Sequence, residues 1–286
     1  MEVAMLGKRV RQLRFIKTNP SGNTTALVLE PVAPEERSLL ATELMRQESL
    51  AVEQAAFLDD HPPRPCDLAI CMMGGEFCGN AVRSAAAWKV FDRMRWQPSA
   101  SCGARETFSI ACSGIGHNVE CVVQAAGRNA FDVSAVMPLP LSVSPAEAGG
   151  RTFWRAEFPG ISHFCLWERE PLSPEAREEI TRDVLAAYPV PAGGAAGVLF
   201  WDGSRLDPFV YVKDTDTLVN ESSCGSGTAA LAACLAAEKQ SSVHVDARQR
   251  GGLIYADAVW DGTGISALSI GGLVTMTAEG MAYIEM

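Results

Sequence analysis

A chain of 286 residues, 48% hydrophobic and 20% charged, is long enough for two ordinary domains, each with its own core. A formal charge of −10 with no long basic run argues against nucleic acid as a partner. No apolar stretch reaches the length that crosses a bilayer, and Lys8, Arg9 and Arg11 are not followed by an apolar block, so neither a membrane span nor a signal peptide is expected.

In chain order, Leu13 to Lys17 and Thr24 to Leu29 read as strands joined by the turn Asn19-Pro20-Ser21-Gly22. Pro34 to Glu48 has helical periodicity, with Leu39, Leu40, Leu44 and Met45 on one side. Asp67 to Met73 is a short apolar strand ending at Gly74-Gly75, followed by an alanine-rich helix from Val82 to Val90. Strand-like runs follow at Thr107 to Cys112, Val119 to Gln124 and Phe131 to Val136. Pro138 to Pro145 is interrupted by proline, with Gly149-Gly150 close behind, which places a domain boundary there. Strands at Thr152 to Phe158 and Phe164 to Trp167 precede a helix from Pro174 to Ala187, with Ser173 as its N-cap and proline at the first helical position. Strands at Val198 to Trp201 and Phe209 to Lys213 flank the hairpin signal Asp202-Gly203-Ser204. A second alanine-rich helix, Thr228 to Ala237, comes next, and further strands run to the C-terminus. Many strands with one buried helix per half indicate an α+β protein.

Both alanine-rich helices open on a cysteine. Cys78-Gly79-Asn80-Ala81 precedes the first and Cys224-Gly225-Ser226-Gly227 the second, 146 residues apart, about half the chain. A cysteine at a helix N-terminus sits by unpaired N–H groups at the positive end of the macrodipole, which favours the thiolate. The glycine behind it leaves the backbone open to a ligand. Free N–H groups of Gly79, Asn80, Gly225 and Ser226 then form a grip for a carboxylate. If the two helices face each other, one thiolate removes an α-proton and the other thiol returns one on the opposite face, with the carboxylate charge held between the helix ends. No metal or pyridoxal cofactor is required. Singly, each motif reads as a buried structural cysteine, as Cys234 does; together they point to one site.

The other candidates are His163, Glu53, Gln54, Glu76 and Glu221, each of which also has an ordinary structural reading. Histidines 61, 117 and 244 lack metal-ligand spacing, so no zinc site is expected. The nine cysteines (66, 71, 78, 102, 112, 121, 165, 224 and 234) show no framework spacing in a chain too large to need staples, which fits reduced thiols in a cytoplasm.

With both motifs in view the chain resembles the cofactor-independent diaminopimelate epimerase superfamily. The resemblance runs through Ser21-Gly22-Asn23, Glu53-Gln54, Cys78-Gly79-Asn80, His163 and Cys224-Gly225-Ser226-Gly227. It implies two pseudo-symmetric lobes, each a β-rich layer around a central helix, with the active site in the cleft between them. The first lobe would cover residues 1–140, completed by C-terminal strands at about 273–286, and the second residues 141–272. It implies that Cys78 and Cys224 are the acid/base pair, and that Asn23, Gln54, Asn80 and the Gly225-Ser226 backbone contact substrate with His163 near the reacting centre. The segments usual before the cysteines of diaminopimelate epimerases are replaced here by Met72-Met73-Gly74-Gly75-Glu76-Phe77 and by Thr215-Asp216, and Ile161 stands where an asparagine is expected. The distal end of diaminopimelate would therefore lack partners. A closer likeness is to the histidine racemase branch that serves opine metallophores of the staphylopine type. It is carried by Asn19-Pro20-Ser21-Gly22-Asn23, Gly75-Glu76-Phe77-Cys78-Gly79-Asn80, Ser223-Cys224-Gly225-Ser226-Gly227-Thr228 and Ala282-Tyr283-Ile284-Glu285. In that branch Glu53 is expected to contact substrate or take part in catalysis.

The expectation is a racemase acting on histidine, with a small-molecule amino acid substrate as its partner and a homodimer among the open assembly states. Diaminopimelate epimerisation and racemisation of proline-like substrates share the two-cysteine logic. A thiol hydrolase using one cysteine and a non-catalytic amino-acid-binding module are the alternatives from other classes.

Overall fold

The computed structural model describes residues 10–96, 104–168 and 170–285, so Lys8, Arg9 and Cys102 lie outside the described residues. Among the described residues, sixteen strands and four helices follow one another in a mixed α/β arrangement built on two large sheets.

The first sheet begins with β1 (Val10–Pro20) and β2 (Thr25–Val28), antiparallel about the expected turn, where Ser21 and Gly22 take the left-handed conformation. It continues through β3 (Gln54–Leu58), β4 (Leu68–Met72), β5 (Arg105–Cys112), β6 (Val119–Ala125) and β7 (Ala130–Val136). The last strand, β16 (Ile265–Glu285), pairs with β7 over Ser269–Thr275 and with β1 over Val274–Glu285. Those two pairings close β1 to β7 and the end of β16 into an eight-stranded ring. Inside it runs α2 (Gly79–Trp96), whose Ala81, Ala85, Ala86 and Ala87 are fully buried. Alanine has high helix propensity and little bulk, so it lets strands close tightly round a central helix.

The beginning of β16 pairs instead with β15 (Gly252–Trp260), which pairs with β14 (Val243–Gln249). The second sheet has six strands in the order β13 (Thr217–Asn220), β12 (Leu206–Val212), β11 (Ala195–Trp201), β10 (Ile161–Trp167), β9 (Arg151–Phe158) and β8 (Ser142–Ala148). Packed between it and β14 to β16 is α4 (Gly225–Lys239), again alanine-rich and buried, and closed by Gln240 in the left-handed conformation. Two outer helices cover the sheets from outside. α1 (Pro34–Met45) lies on β1 to β3, and α3 (Pro174–Ala187) lies on β8 to β12.

Several expectations shift. The segment 138–145 is partly β8 itself, with Pro145 paired to Trp154; an edge strand tolerates proline because its outer N–H has no ladder partner to lose. Leu39 does not join the apolar side of α1: it is 51% exposed, while Leu40 and Leu44 are buried and Ala41 fills the place between them. Two strands have no alternating signature in the sequence, β3 because it is buried on both faces and β13 because it is a four-residue edge with its two apolar residues adjacent. No helix among the described residues is long and apolar enough to cross a membrane.

Candidate active site

The chain leading to Cys78 is pinned before the helix starts. Gly75 turns it with φ +78°, its N–H bonding Met72 O at 3.1 Å. Ser113 Oγ donates to Glu76 O at 2.8 Å, and Gly114 is free of a side chain because a Cβ there would overlap Phe77 N. The exposed Glu76 carboxylate caps Gly74 N–H at 2.9 Å. Cys78 then sits at the start of α2, with its thiol donating to Gln54 Oε1 at 3.1 Å.

That contact begins a row of amides with fixed orientations. Gln54 Nε2 donates to Asn23 Oδ1 at 2.6 Å and to Thr25 Oγ1 at 2.8 Å, and Asn23 Nδ2 donates to Glu53 Oε2 at 2.9 Å. A carboxylate only accepts, so Glu53 turns the Asn23 amide, which in turn leaves the Gln54 oxygen facing the thiol. Asn23, Glu53, Gln54 and Cys78 therefore stand together, although the β1–β2 turn, the start of β3 and the start of α2 bring them from separate parts of the chain.

Cys224 is the N-cap of α4, and its Sγ accepts from Gly227 N at 3.3 Å. Its own N–H donates to Gln249 Oε1 at 2.7 Å, while Gln249 Nε2 holds Thr228 Oγ1 at 2.9 Å. Ser226 Oγ lies 3.5 Å from Cys224 Sγ and 3.1 Å from His163 Nε2. His163 is fully buried on β10 and reaches the site through Ser226; burial drives its imidazole down to about 3, which keeps it neutral. Its ring lies over Gly197 of β11, where a Cβ would overlap Nδ1. The loop before Cys224 is held by Glu221 N–H on Pro208 O and by Gly251 N–H on Ser222 O. Gly251 in turn packs backbone to backbone on Gly22, so the β14–β15 turn bears directly on the β1–β2 turn.

The two helix starts converge. A Cβ on Gly79 would lie 2.9 Å from Ile270 Cδ1, and one on Gly225 would lie 3.0 Å from the same atom and 3.1 Å from Asn80 Oδ1. Two helix N-termini thus share one apolar support, with no room for a side chain at either glycine. The N–H groups of Gly79, Gly225 and Ser226 have no acceptor among the described residues. Two positive helix ends and several unclaimed donors at one place form a carboxylate-binding arrangement.

The electrostatics differ from the expectation of depressed thiol pKa values. Burial pushes Cys78 up to about 11, against the N–H groups of Ala81 and Asn80, which pull it down. Burial also raises Cys224 well above its ordinary value, and the neighbouring Glu221 carboxylate adds to the rise, outweighing Ser226 and the Gly227 N–H. Glu221 itself is pushed up to about 7 by burial, with the charge of Glu53 raising it further. The helix-end donors are present, but removing the thiol from water costs more than they return.

Eleven of the twelve candidate residues fall into one linked region: Asn23, Glu53, Gln54, Cys78, Gly79, Asn80, His163, Glu221, Cys224, Gly225 and Ser226; the twelfth, Glu76, is exposed and only caps Gly74 N–H. Sequence reasoning passed over Arg83 and Gln249. Arg83 carries a visible signal, a charge among the small and apolar residues of the first turns of its helix. Among the described residues, the group of His, Cys, Asp and Glu close enough to share an ion is the half-buried Asp59 with the exposed Asp60 and His61, whose carboxylates already accept from His61 N, Cys71 and the His61 ring.

The chain is similar to several known proteins. A family model described as the histidine racemase CntK N-terminal domain matches residues 12–283. The chain is 31% identical over 281 residues to a histidine racemase of Fusobacterium nucleatum, spanning 96% of this chain and 99% of that one. It is 27% identical over 289 residues to a histidine racemase of Staphylococcus aureus, spanning 96% and 98%. Among solved structures, a hydroxyproline epimerase from Agrobacterium vitis with bound trans-4-hydroxy-L-proline superposes with a TM-score of 0.62 at 14% identity, covering 96% of this chain and 94% of that one. A PhzF-family phenazine biosynthesis protein of Enterococcus faecalis superposes with a TM-score of 0.58 at 15% identity, covering 96% and 100%. At those identities the structural likeness establishes the fold.

Proposed function

The chain belongs to the histidine racemase family, and from that premise we propose that it interconverts L- and D-histidine without a cofactor, using Cys78 and Cys224 as its two bases. The observation that carries this reading is the convergence of two cysteine-bearing helix starts on Ile270, with unclaimed N–H groups between them. The substrate carboxylate binds those N–H groups. A thiolate on one face takes the Cα proton, and the electron pair of the broken C–H bond moves into the carboxylate as an enediolate, where the helix ends stabilise it. The thiol on the other face then gives its proton to Cα, leaving the inverted amino acid and a thiolate in place of the first.

Burial holds both thiols neutral, so the base has to be generated when substrate binds, its ammonium group adding a positive charge to the helix-end donors that favour the thiolate. Two lobes close on the substrate in this reading. One lobe is the ring around α2, residues 1–140 with the C-terminal strands from about 273; the other, residues 141–272, surrounds α4. The strand order that supports this division has β8 to β13 forming a sheet of their own. Glu53 and Glu221 stand within each other's field at the side of the cleft, and two carboxylates there suit a side chain that offers N–H donors, as imidazole does. The enzyme works in a cytoplasm in this reading, where thiols stay reduced.

The test is incubation with L-histidine in D2O, followed by proton NMR at Cα. Deuterium wash-in together with appearance of D-histidine is the expected outcome, and both Cys78→Ala and Cys224→Ala abolish racemisation. Wash-in with a different amino acid but not with histidine would move the substrate and keep the chemistry. Full hydrolytic or racemising activity in either cysteine variant would remove the two-base scheme.

A further inference from the structure

Arg83 is the one charged side chain that is completely buried among the described residues, and no carboxylate pairs with it. Burial lowers its guanidinium to about 10, and the more distant Tyr255 and Asp132 offset only part of that cost. A buried cation without a partner is expensive, and an apolar residue of the same size would pack the helix more cheaply. Its donors are committed to three separate segments. Nε donates to Val133 O of β7 at 3.0 Å, Nη1 to Asn80 Oδ1 at 3.0 Å, and Nη2 to Ser21 Oγ at 3.4 Å. Gly272 of β16 leaves space for it, since a Cβ there would lie 3.1 Å from Nη2 and 2.9 Å from Ser21 Oγ.

Arg83 lies one helical turn after Asn80, on the same face of α2. A guanidinium has donors only, so the amide atom turned to it has to be the oxygen. The Asn80 NH2 is thereby turned away from Arg83, and it makes no hydrogen bond among the described residues. Asn80 also sits against the start of α4, its oxygen in contact range of the Cβ position of Gly225. Ser21, with φ +56°, opens the turn that carries Asn23 and also donates to Leu273 O at 3.2 Å. One guanidinium therefore links the start of α2, the Asn23 turn, β7 and, across Asn80, the start of α4.

We propose that Arg83 is the positioning residue of the carboxylate site, fixing the Asn80 amide with its NH2 towards the substrate and holding the Asn23 turn in register with the two helix starts. This rests on the reading of that site as the seat of the substrate carboxylate.

Three variants test it: Asn80→Asp, Arg83→Lys and their combination. Asn80→Asp keeps the shape and gives Arg83 a stronger partner, but removes the donor. It folds with an unchanged or higher thermal midpoint, while KM for L-histidine rises about tenfold to a hundredfold, the range for losing a hydrogen bond to a charged group. Arg83→Lys keeps the charge but cannot span three acceptors, so KM rises about tenfold with a smaller change in kcat. The double variant loses no more than Asn80→Asp alone, because both act on one donor. An Asn80→Asp enzyme with wild-type KM would overturn the proposal, as would Arg83→Lys lowering the midpoint with KM unmoved, or losses that multiply in the double variant.

If Arg83→Lys fails to fold, the wild-type enzyme labelled with 15N-asparagine supplies the answer. The side-chain NH2 signal that Asn80→Asp removes shifts as L-histidine is added; no shift at saturation counts against the proposal. If the wild-type enzyme neither binds nor exchanges histidine, the histidine reading fails, and the same amide signal titrated with the other amino acids still decides the role of Arg83.

Discussion

Glu221 is a carboxyl group held up to about 7 by burial, beside Cys224 and within the field of Glu53. The folded protein therefore binds a proton there that the unfolded chain has released, between the ordinary carboxyl value of 4.5 and about 7. Stability falls as pH rises through that window. His163 acts in the opposite sense: held at about 3 when folded and titrating near 6.5 when unfolded, it withdraws stability as pH falls from 6.5 towards 3. Glu221→Gln should consequently leave the thermal midpoint near pH 4.5 unchanged and raise it by a few degrees at pH 8, read by circular dichroism across pH. An equal shift at both pH values would mean that Glu221 ionises freely in the folded state. Glu221 was legible because it stands beside a cysteine motif, and His163 as a titratable side chain that the family resemblance also carries. Their protonation was not, since helix-end donors and burial pull a thiol in opposite directions and only the enclosed structure sets the balance.

At the level of elements, the expected α3 matches the observed helix end to end, because Ser173 and Pro174 write its start in local chemistry: Ser173 Oγ accepts from Ala176 N at 3.2 Å. Ser173→Ala should cost about 1 kcal/mol of stability in urea unfolding and leave kcat/KM unchanged, since α3 packs on the outer side of its sheet. A fall in turnover equal to that of a site variant would show that α3 positions the cleft. The helices α2 and α4 were legible from their alanine runs, although α2 continues past the expected Val90 to Trp96. β3 and β13 were not, because a strand buried on both faces loses the period-two pattern and a four-residue edge hardly has one. Pro145 misled for a related reason: proline marks a break only where the N–H would have been used.

For the whole molecule, β16 is the organising segment. Over 21 residues it pairs in turn with β15, β7 and β1, so it belongs both to the ring around α2 and to the strands that pack on α4. A strand shared by two hydrophobic cores couples their unfolding. Denaturation followed by near-ultraviolet and far-ultraviolet circular dichroism should give coincident single transitions, and a chain ending at Thr275, which removes most of the β1 partner, should lose the cooperative transition. Two separated transitions in the full chain would show that the cores fold independently.

The sequence by itself determined the local chemistry: two cysteines placed at helix starts, glycines where backbones must approach, caps and turns where strands and helices begin, and the family to which these motifs belong. Those features follow from short-range sterics and hydrogen bonding, which neighbouring residues decide. The tertiary structure alone decided that Gly79 and Gly225 rest on one Ile270 side chain, that a buried Arg83 donates to the Asn80 oxygen, and that burial holds both thiols neutral. Each of these depends on burial and on contacts between segments far apart in the chain, quantities that no local run of residues contains.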